Sequence, residues 1–507
     1  MRYQNPVVTG FYPDPSVCEA NGKYYLVCSS FQYFPGVPLF ESDDLINWTQ
    51  IGHVLTRPTQ VQLAHVPSSG GVFAPTIRYN NGRFYMVTTN DTTHENFYVW
   101  TDDIHGEWSD PITIDQGGID PSLLFDNGHV YFISNGADDM GVGGVSQCEI
   151  DIETGRKLTP SRCIWQGTGG RYLESPHMYR IGGWYYLMAA EGGTEYGHMI
   201  VLARGQIPWG PFKACPYNPI LTNRDKAPGI IQGIGHGDLI QSPGGEWFIL
   251  SLGFRQIHMW MRFHHLGREV FLTPVHFERN GWLYCGNDGI TEEFYDIASD
   301  KPQTRKTEYT FGNTDWRIDW CALRCPDWSN YVFAEDHLIL RAGKDTLDDM
   351  GSPTFLALRQ KAFDMDYSVR VTNSAGEGGV TVYGTEGEHY DLFLRRTGMG
   401  CEAVLKLNVG GIRHEQAVLP LPGDSAERSS ARTASITTSS SGQTAWRPAW
   451  APDSRNSCPT RFLPASLAWC WVCLRSAAGK RALITCTSDT HSDRKSSSPD
   501  PAQYRVG

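Results

Sequence analysis

The chain has no apolar run approaching the ~20 residues that a helix needs to span a bilayer. Its first residues, MRYQNPVVTGFYPDPS, contain no basic segment leading into an apolar one. A soluble, cytoplasmic protein without a membrane partner is the expectation. Charge is also scarce: charged side chains are 19% of the 507 residues, and 55 acidic against 43 basic groups give a net charge of −12. Nucleic-acid affinity comes largely from clustered Lys and Arg, and the first 420 residues contain no such cluster, which argues against a nucleic-acid partner. CxxC pairs are missing from the first 300 residues, where Cys18, Cys28, Cys148, Cys163, Cys215 and Cys285 stand singly. Neither a zinc site nor a disulfide framework is indicated, so the thiols read as buried and reduced. The spacings of a Walker loop and of a Ser-His-Asp triad are missing as well.

What is abundant points one way. With 53 Gly, 30 Pro, 16 Trp, 23 Tyr and 22 Phe, the chain favours many short strands joined by tight turns over long helices, an all-β protein. Its length allows about two to four domains, and 40% apolar residues suffice for sizeable cores.

A repeat organises the first 290 residues. Glycine, one variable residue and then a run of aromatic and aliphatic residues recur as GKYYLV from Gly22, GRFYMV from Gly82, GHVYFI from Gly128, GWYYLM from Gly183 and GEWFIL from Gly245, at intervals of 60, 46, 55 and 62 residues. Each copy follows another strand-like segment (PSVCEA, PTIRYN, PSLLFD, SPHMYRI, GDLIQS), which predicts five hairpins. Trp48, Trp108 and Trp209 close similar segments after three of them, as expected where outer strands pack one unit on the next. Four strands per unit is the arithmetic of a propeller blade, so a five-bladed β-propeller is expected. A sandwich or β-helix would repeat at shorter or less regular intervals.

Eight or nine residues before these glycines stand Asp14, Ala74, Asp120, Glu174 and His236, at the head of each predicted inner strand. In a propeller those strand ends surround the axis, so three carboxylates and an imidazole converge. An Asp before Pro-Ser is commonly a turn cap, but three carboxylates at one repeat offset argue for a site. Carboxylates facing each other in a low-dielectric funnel cannot all stay ionised, so one becomes a proton donor while another remains a base. That is the equipment of glycoside hydrolysis. Phe31, Tyr33 and Phe73, close to inner-strand segments, are candidate surfaces for a sugar ring.

Together FYPDPSV, GIDPSL, YLESPHMYR, GIGHGDL and LGREVFLTPV, in order across residues 5–280, resemble the family 43 glycoside hydrolases, in the branch of β-xylosidases and α-L-arabinofuranosidases. The resemblance implies an inverting displacement with Asp14 as general base, Glu174 as general acid, and Asp120 tuning and orienting the acid. It further implies substrate contacts at Arg268, His236, Phe31 and Phe73, with His236 near a central water or a calcium ion and no cofactor required. Phe73 stands where many members of the branch carry Trp, and Ser175 where many carry Gly after the acid.

Residues 1–295 read as the propeller and 305–424 as a β-sandwich, from alternating segments such as FLALRQKAFDMDYSVRV and YDLFLRRT. From Ser425 the composition changes: 83 residues carry 16 Ser, 11 basic and 5 acidic groups, one Phe and one Tyr. The segment 425–507 reads either as a disordered Ser-rich extension or as translation out of frame. The second case leaves the sandwich incomplete, the pocket short of a wall, and apolar edges that favour self-association into a homo-oligomer. The expected activity is release of D-xylose from non-reducing ends of short β-1,4-xylo-oligosaccharides. The alternatives are an α-L-arabinofuranosidase or bifunctional enzyme, a retaining fructosyl hydrolase, and a catalytically silent carbohydrate-binding propeller.

Overall fold

The computed structural model describes residues 1–226, 228–257, 264–306, 316–334, 337–398, 400–421, 432–438, 444–448, 470–471 and 485–486. Among these, helix is confined to one turn at Trp316–Asp319 and a 3-10 turn at Trp328–Asn330. Among the described residues, no helix is long and apolar enough to cross a membrane.

Five four-stranded antiparallel sheets follow one another along the chain. Their inner strands are Ser16–Ala20, Thr76–Asn80, Ile119–Asp126, Glu174–Ile181 and Ile231–Gln241, and each touches the next, the fifth returning to the first. The repeated glycine has a specific job in the first four. Asn21-Gly22, Asn81-Gly82, Asn127-Gly128 and Gly182-Gly183 all have positive φ at both residues, the type I′ turn that matches strand twist in a two-residue hairpin. The fifth hairpin carries a longer loop, Ser242–Glu246, with Gly245 at φ 84°.

Each gap between neighbouring sheets holds its own apolar cluster. Val27, Ile77 and Trp108 fill the first, Phe132 and Tyr98 the second, Leu187 and Val201 the third, Ile249 and Leu202 the fourth, and Leu26 with Leu250 the fifth. Trp108, Trp209 and Trp48 lie in the first, third and fifth gaps, so each packs its sheet against the preceding one.

The ring is closed by the N-terminal segment, which runs along the fifth sheet. Arg2–Gln4 pairs with Phe294–Asp296, Val7 N donates to Val270 O at 2.8 Å, and Tyr12 N donates to Arg268 O at 2.9 Å. The buried Asn5 side chain donates to the carbonyls of Leu272 and Glu292 and accepts from Leu272 N, each at 2.9 Å.

A second body of β-structure packs on the propeller. Its largest sheet has six strands, among them Glu377–Thr385, Glu388–Thr397, Gly400–Val409 and Ile412–Leu421, with Trp320, Leu338, Val380 and Leu392 in the core. It is sewn to the propeller by backbone pairing of Ala322–Leu323 with Tyr33–Phe34. Most of the compositionally odd segment 425–507 lies outside the described residues. Within it, Arg432–Thr438 pairs with Met365–Val371 and with Thr444–Pro448, and two further strands are Cys470–Trp471 and Thr485–Cys486.

If Asn5 closes the ring, Asn5→Leu leaves the buried Leu272 N without its partner, at about 1–3 kcal/mol, and takes a donor from Glu292 O, while Leu272 O keeps the Tyr3 hydroxyl. A lower urea midpoint for propeller unfolding is expected, and an unchanged midpoint contradicts this role.

Candidate active site

Asp14 begins the site. Proline at position 15 disfavours right-handed helical backbone at Asp14, and the residue takes φ 56°, turning its side chain out of the strand pattern. The Asn21-Gly22 turn fixes the pairing Ser16↔Val27, and continuing that register puts Asp14 opposite Ser29. The Ser29 hydroxyl donates to Asp14 Oδ2 at 2.5 Å, and Ser29 N donates to Pro13 O at 3.0 Å. From the fifth sheet, Arg268 donates to Asp14 Oδ1 at 3.0 Å and His236 Nδ1 lies 3.6 Å from the same oxygen. Burial opposes ionisation of Asp14, yet Arg268, then His236 and the Ser29 hydrogen bond, outweigh it and hold the carboxyl below its ordinary value.

Asp120, at φ 52° before Pro121, sits in the third sheet as Asp14 sits in the first. Its Oδ2 accepts from Ser175 N at 3.1 Å, which ties it to the residue following Glu174. Burial first, and then the charges of Glu174 and Asp14, push the Asp120 carboxyl well above the carboxylate range. Glu174 is half-buried; burial and the charge of Asp14 raise it from 4.5 to about 7, against a smaller opposing effect of Arg268. The funnel therefore holds one carboxylate kept ionised and two whose protons are retained toward neutral pH. An ionised base beside a protonated acid suits proton transfer to and from a glycosidic bond.

The common register expected for the four ionisable groups holds for Asp14, Asp120 and His236 and not for Glu174. In the fourth sheet the left-handed residue before proline is Ser175, at φ 55°. Glu174 pairs with Ala190 across a bulge, as Ile119 pairs with Asn135 in the third sheet. It occupies the place of Ile119, one residue before that of Asp120. The nine-residue offset before Gly245 has another cause, the longer fifth hairpin loop, and His236 keeps the left-handed place at φ 45°.

Phe31 and Phe73 form one wall. Their rings meet edge to face at 5.8 Å, Phe11 stacks on Phe31 at 5.8 Å, and the Arg268 guanidinium lies 5.3 Å from the centre of the Phe31 ring. Gly71, at φ 90°, lets the chain pass close to Phe31, where a Cβ would come within 2.6 Å of the Phe31 carbonyl oxygen. Behind this wall Tyr33 packs with Leu347, Phe355 and Tyr383 of the second body. The structure thus brings together Asp14, Asp120, Glu174, His236, Arg268, Phe31 and Phe73, with Phe73 the more exposed of the two wall aromatics, whereas Tyr33 is buried behind the wall and offers no surface to a sugar.

Calcium takes about six to eight oxygen ligands. Beside His236 stands a single carboxylate, Asp14, already engaged by Arg268 and Ser29, and among the described residues no cluster of three metal-ligating side chains forms. This donor set does not suit a calcium ion.

Two polar partners escaped the sequence reading. Ser29 was open to the hairpin arithmetic just given. His198, whose ring packs against Gly235 and whose Nδ1 faces Gly233 O at 3.2 Å, had no sequence signal. Burial, followed by the charge of His236, brings it down to about 3, so it is neutral.

Residues 3–283 match the model of glycosyl hydrolases family 43, and residues 308–452 match the β-xylosidase C-terminal concanavalin A-like domain. The second match runs past the compositional change near residue 425. Among similar proteins, a non-reducing end α-L-arabinofuranosidase of Bacteroides ovatus is 37% identical over 405 residues, 77% of this chain and 75% of that one. A Butyrivibrio fibrisolvens xylosidase/arabinosidase is 37% identical over 378 residues, 70% of this chain and 72% of the relative. A Bacillus subtilis β-xylosidase is 32% identical over 403 residues, 73% and 74% of the two chains. The solved structure of Bacteroides ovatus xyloglucan PUL GH43B superposes with a TM-score of 0.86 at 31% identity, covering 96% of this chain and 98% of that one. With its axial carboxylates, its all-β architecture and both domain matches in agreement, the chain belongs to glycosyl hydrolase family 43 and is a glycosidase.

Proposed function

We propose that the enzyme is an inverting, exo-acting pentosidase that releases D-xylose from the non-reducing ends of short β-1,4-xylo-oligosaccharides. Asp14 acts as general base on the attacking water, Glu174 as general acid on the leaving oxygen, and Asp120 keeps the acid segment in place through Ser175 N. The observation that carries this reading is the split ionisation, with Asp14 held down by Arg268 and Glu174 raised to about 7. In one step water loses a proton to Asp14 and its oxygen bonds to the anomeric carbon. The glycosidic bond breaks on the opposite side, its electron pair staying with the oxygen that receives the Glu174 proton. Inverting pairs stand about 6.5–9.5 Å apart to admit that water. Arg268 and the Phe31–Phe73 wall are suited to hold the terminal sugar, the guanidinium by its hydroxyls and the rings by apolar contact.

The named relatives favour a second reading, since one is an arabinofuranosidase and another carries both activities in its name. Paired assays with 4-nitrophenyl β-xyloside and α-L-arabinofuranoside separate the two: faster turnover of the xyloside is expected, and a much higher kcat/KM on the arabinofuranoside overturns the choice of sugar.

The ionisation pattern sets the pH dependence of kcat/KM. Activity requires ionised Asp14 and is lost as pH falls through a value below 3.8; it requires protonated Glu174 and is lost as pH rises through about 7. A profile with no alkaline limb near neutrality contradicts the assignment of the acid.

Hydrolysis of xylobiose followed by proton NMR reports bond and stereochemistry together. Inversion yields α-xylose first, whereas initial β-xylose rules out the single displacement. Asp14→Ala and Glu174→Ala are each expected to lose about 10²–10⁴-fold in kcat, Glu174→Ala being partly spared on a 2,4-dinitrophenyl glycoside whose leaving group needs no proton.

A further inference from the structure

One step along the inner strands from Asp14, the ring closes on a single buried carboxylate. Asp238 is 0% exposed and lies two residues after His236. It accepts five hydrogen bonds from three other sheets. Ser16 Oγ at 2.6 Å and Val17 N at 3.0 Å reach Oδ2 from the strand that follows Asp14. The Tyr179 hydroxyl reaches Oδ1 at 2.5 Å from the strand headed by Glu174. Arg78, from the second sheet, donates to Oδ2 at 2.8 Å and to Oδ1 at 3.2 Å. The nitrogen of Arg78 that reaches Oδ1 also lies 2.8 Å from His177 Nδ1, three residues beyond Glu174.

The network is charged throughout the working range. Burial opposes ionisation of Asp238, but Arg78, His177 and the hydrogen bonds of Arg78 and Ser16 hold its carboxyl well below the carboxylate range. Burial brings His177 down to about 3, so its neutral Nδ1 accepts from Arg78. A buried ion pair contributes little net stability compared with apolar packing, and its best-attested use is to specify one geometry. At the corresponding place in the third sheet, Ser122 serves packing with a single hydrogen bond to Pro176 O.

We propose that Asp238 is a positioning residue for the displacement: by accepting from the strand of Asp14 and the strand of Glu174 at once, it fixes the placement of base against acid. A misplacement of 1 Å at a reacting group costs on the order of 10²-fold in rate, so a shared acceptor between those strands bears directly on turnover. The inference rests on the roles proposed above for Asp14 and Glu174.

The test compares Tyr179→Phe, Ser16→Ala and Asp238→Asn on two glycosides of the sugar that the wild-type enzyme prefers. One is a disaccharide whose leaving group needs a proton; the other is the 2,4-dinitrophenyl glycoside, which does not. Tyr179→Phe frees the acid strand and is expected to lower kcat on the disaccharide by roughly 10-fold or more, with a smaller loss on the dinitrophenyl glycoside and little change in KM. Ser16→Ala loosens the base strand, which keeps its Val17 N bond to Asp238, and lowers kcat on both substrates alike. Asp238→Asn weakens both links; if it does not fold, Tyr179→Phe, which also unpairs Leu239 N, and Ser16→Ala, which also takes an acceptor from Ile77 N and Arg78, decide. Variants that melt at lower temperature yet keep kcat on both substrates within about 2-fold of wild type overturn the inference and leave Asp238 a structural residue. Failure of the underlying assignment has a different signature, retained turnover in Asp14→Ala or Glu174→Ala.

Discussion

The ion pair between Arg268 and Asp14 joins the last sheet of the ring to the first, and both the closure and the chemistry pass through it. Tyr12 N bonds to the Arg268 carbonyl, so the backbone hydrogen bonding that seats the N-terminal segment also sets the guanidinium beside the carboxylate two residues on. Once Asp14 is held ionised, its charge and the burial of the funnel act together on Glu174 and Asp120, and both retain protons. A single cation placed nearer one carboxylate than the others thus divides three chemically similar groups into an ionised base and protonated partners. The same guanidinium lies over Phe31, which couples the electrostatics to the wall of the pocket.

Such a funnel is expensive to keep folded, because it gathers buried carboxylates that repel one another. The cost is offset by groups that do no chemistry themselves. Ser29 and His236 share the charge of Asp14, Ser175 N bonds Asp120, and the Arg78–Asp238 pair fills the axis a step further along the strands. The left-handed backbone at Asp14, Asp120, Ser175 and His236 is a second cost, about 1–3 kcal/mol for each such residue. Its recurrence in four of the five inner strands makes it a property of the repeat, and it re-aims these residues at the axis where a regular strand would alternate them away.

Much of this was legible in the sequence. The recurring glycines give a common offset of eight or nine residues, which puts Asp14, Asp120 and His236 at the head of their inner strands. Glu174 was found at that end of its strand, but its displacement by one residue was not: the Ser175-Pro176 pair marks it, yet the nine-residue offset that results is shared by His236, where the longer hairpin loop is the cause. Ser29 was within reach of the same arithmetic. Arg78, His198 and Tyr179 were not, because their partners lie in other sheets, 35 to 160 residues away, and no local pattern encodes such contacts. The second body was recognisable by alternation alone, whereas its role behind Phe31 became visible only through the cluster of Tyr33, Phe355 and Tyr383.

The division of ionisation among the axial carboxylates by Arg268 can be read without substrate. Carboxyl carbon NMR titration of Asp14 and Glu174, in the wild-type protein and in Arg268→Gln, measures it directly. Asp14 is expected to titrate below 3.8 and Glu174 near 7 in the wild type, with both moving to higher pH in the variant, since Arg268 lowers both. Two carboxyls titrating together near 4 in the wild type, or values that stay put when Arg268 is removed, would contradict it.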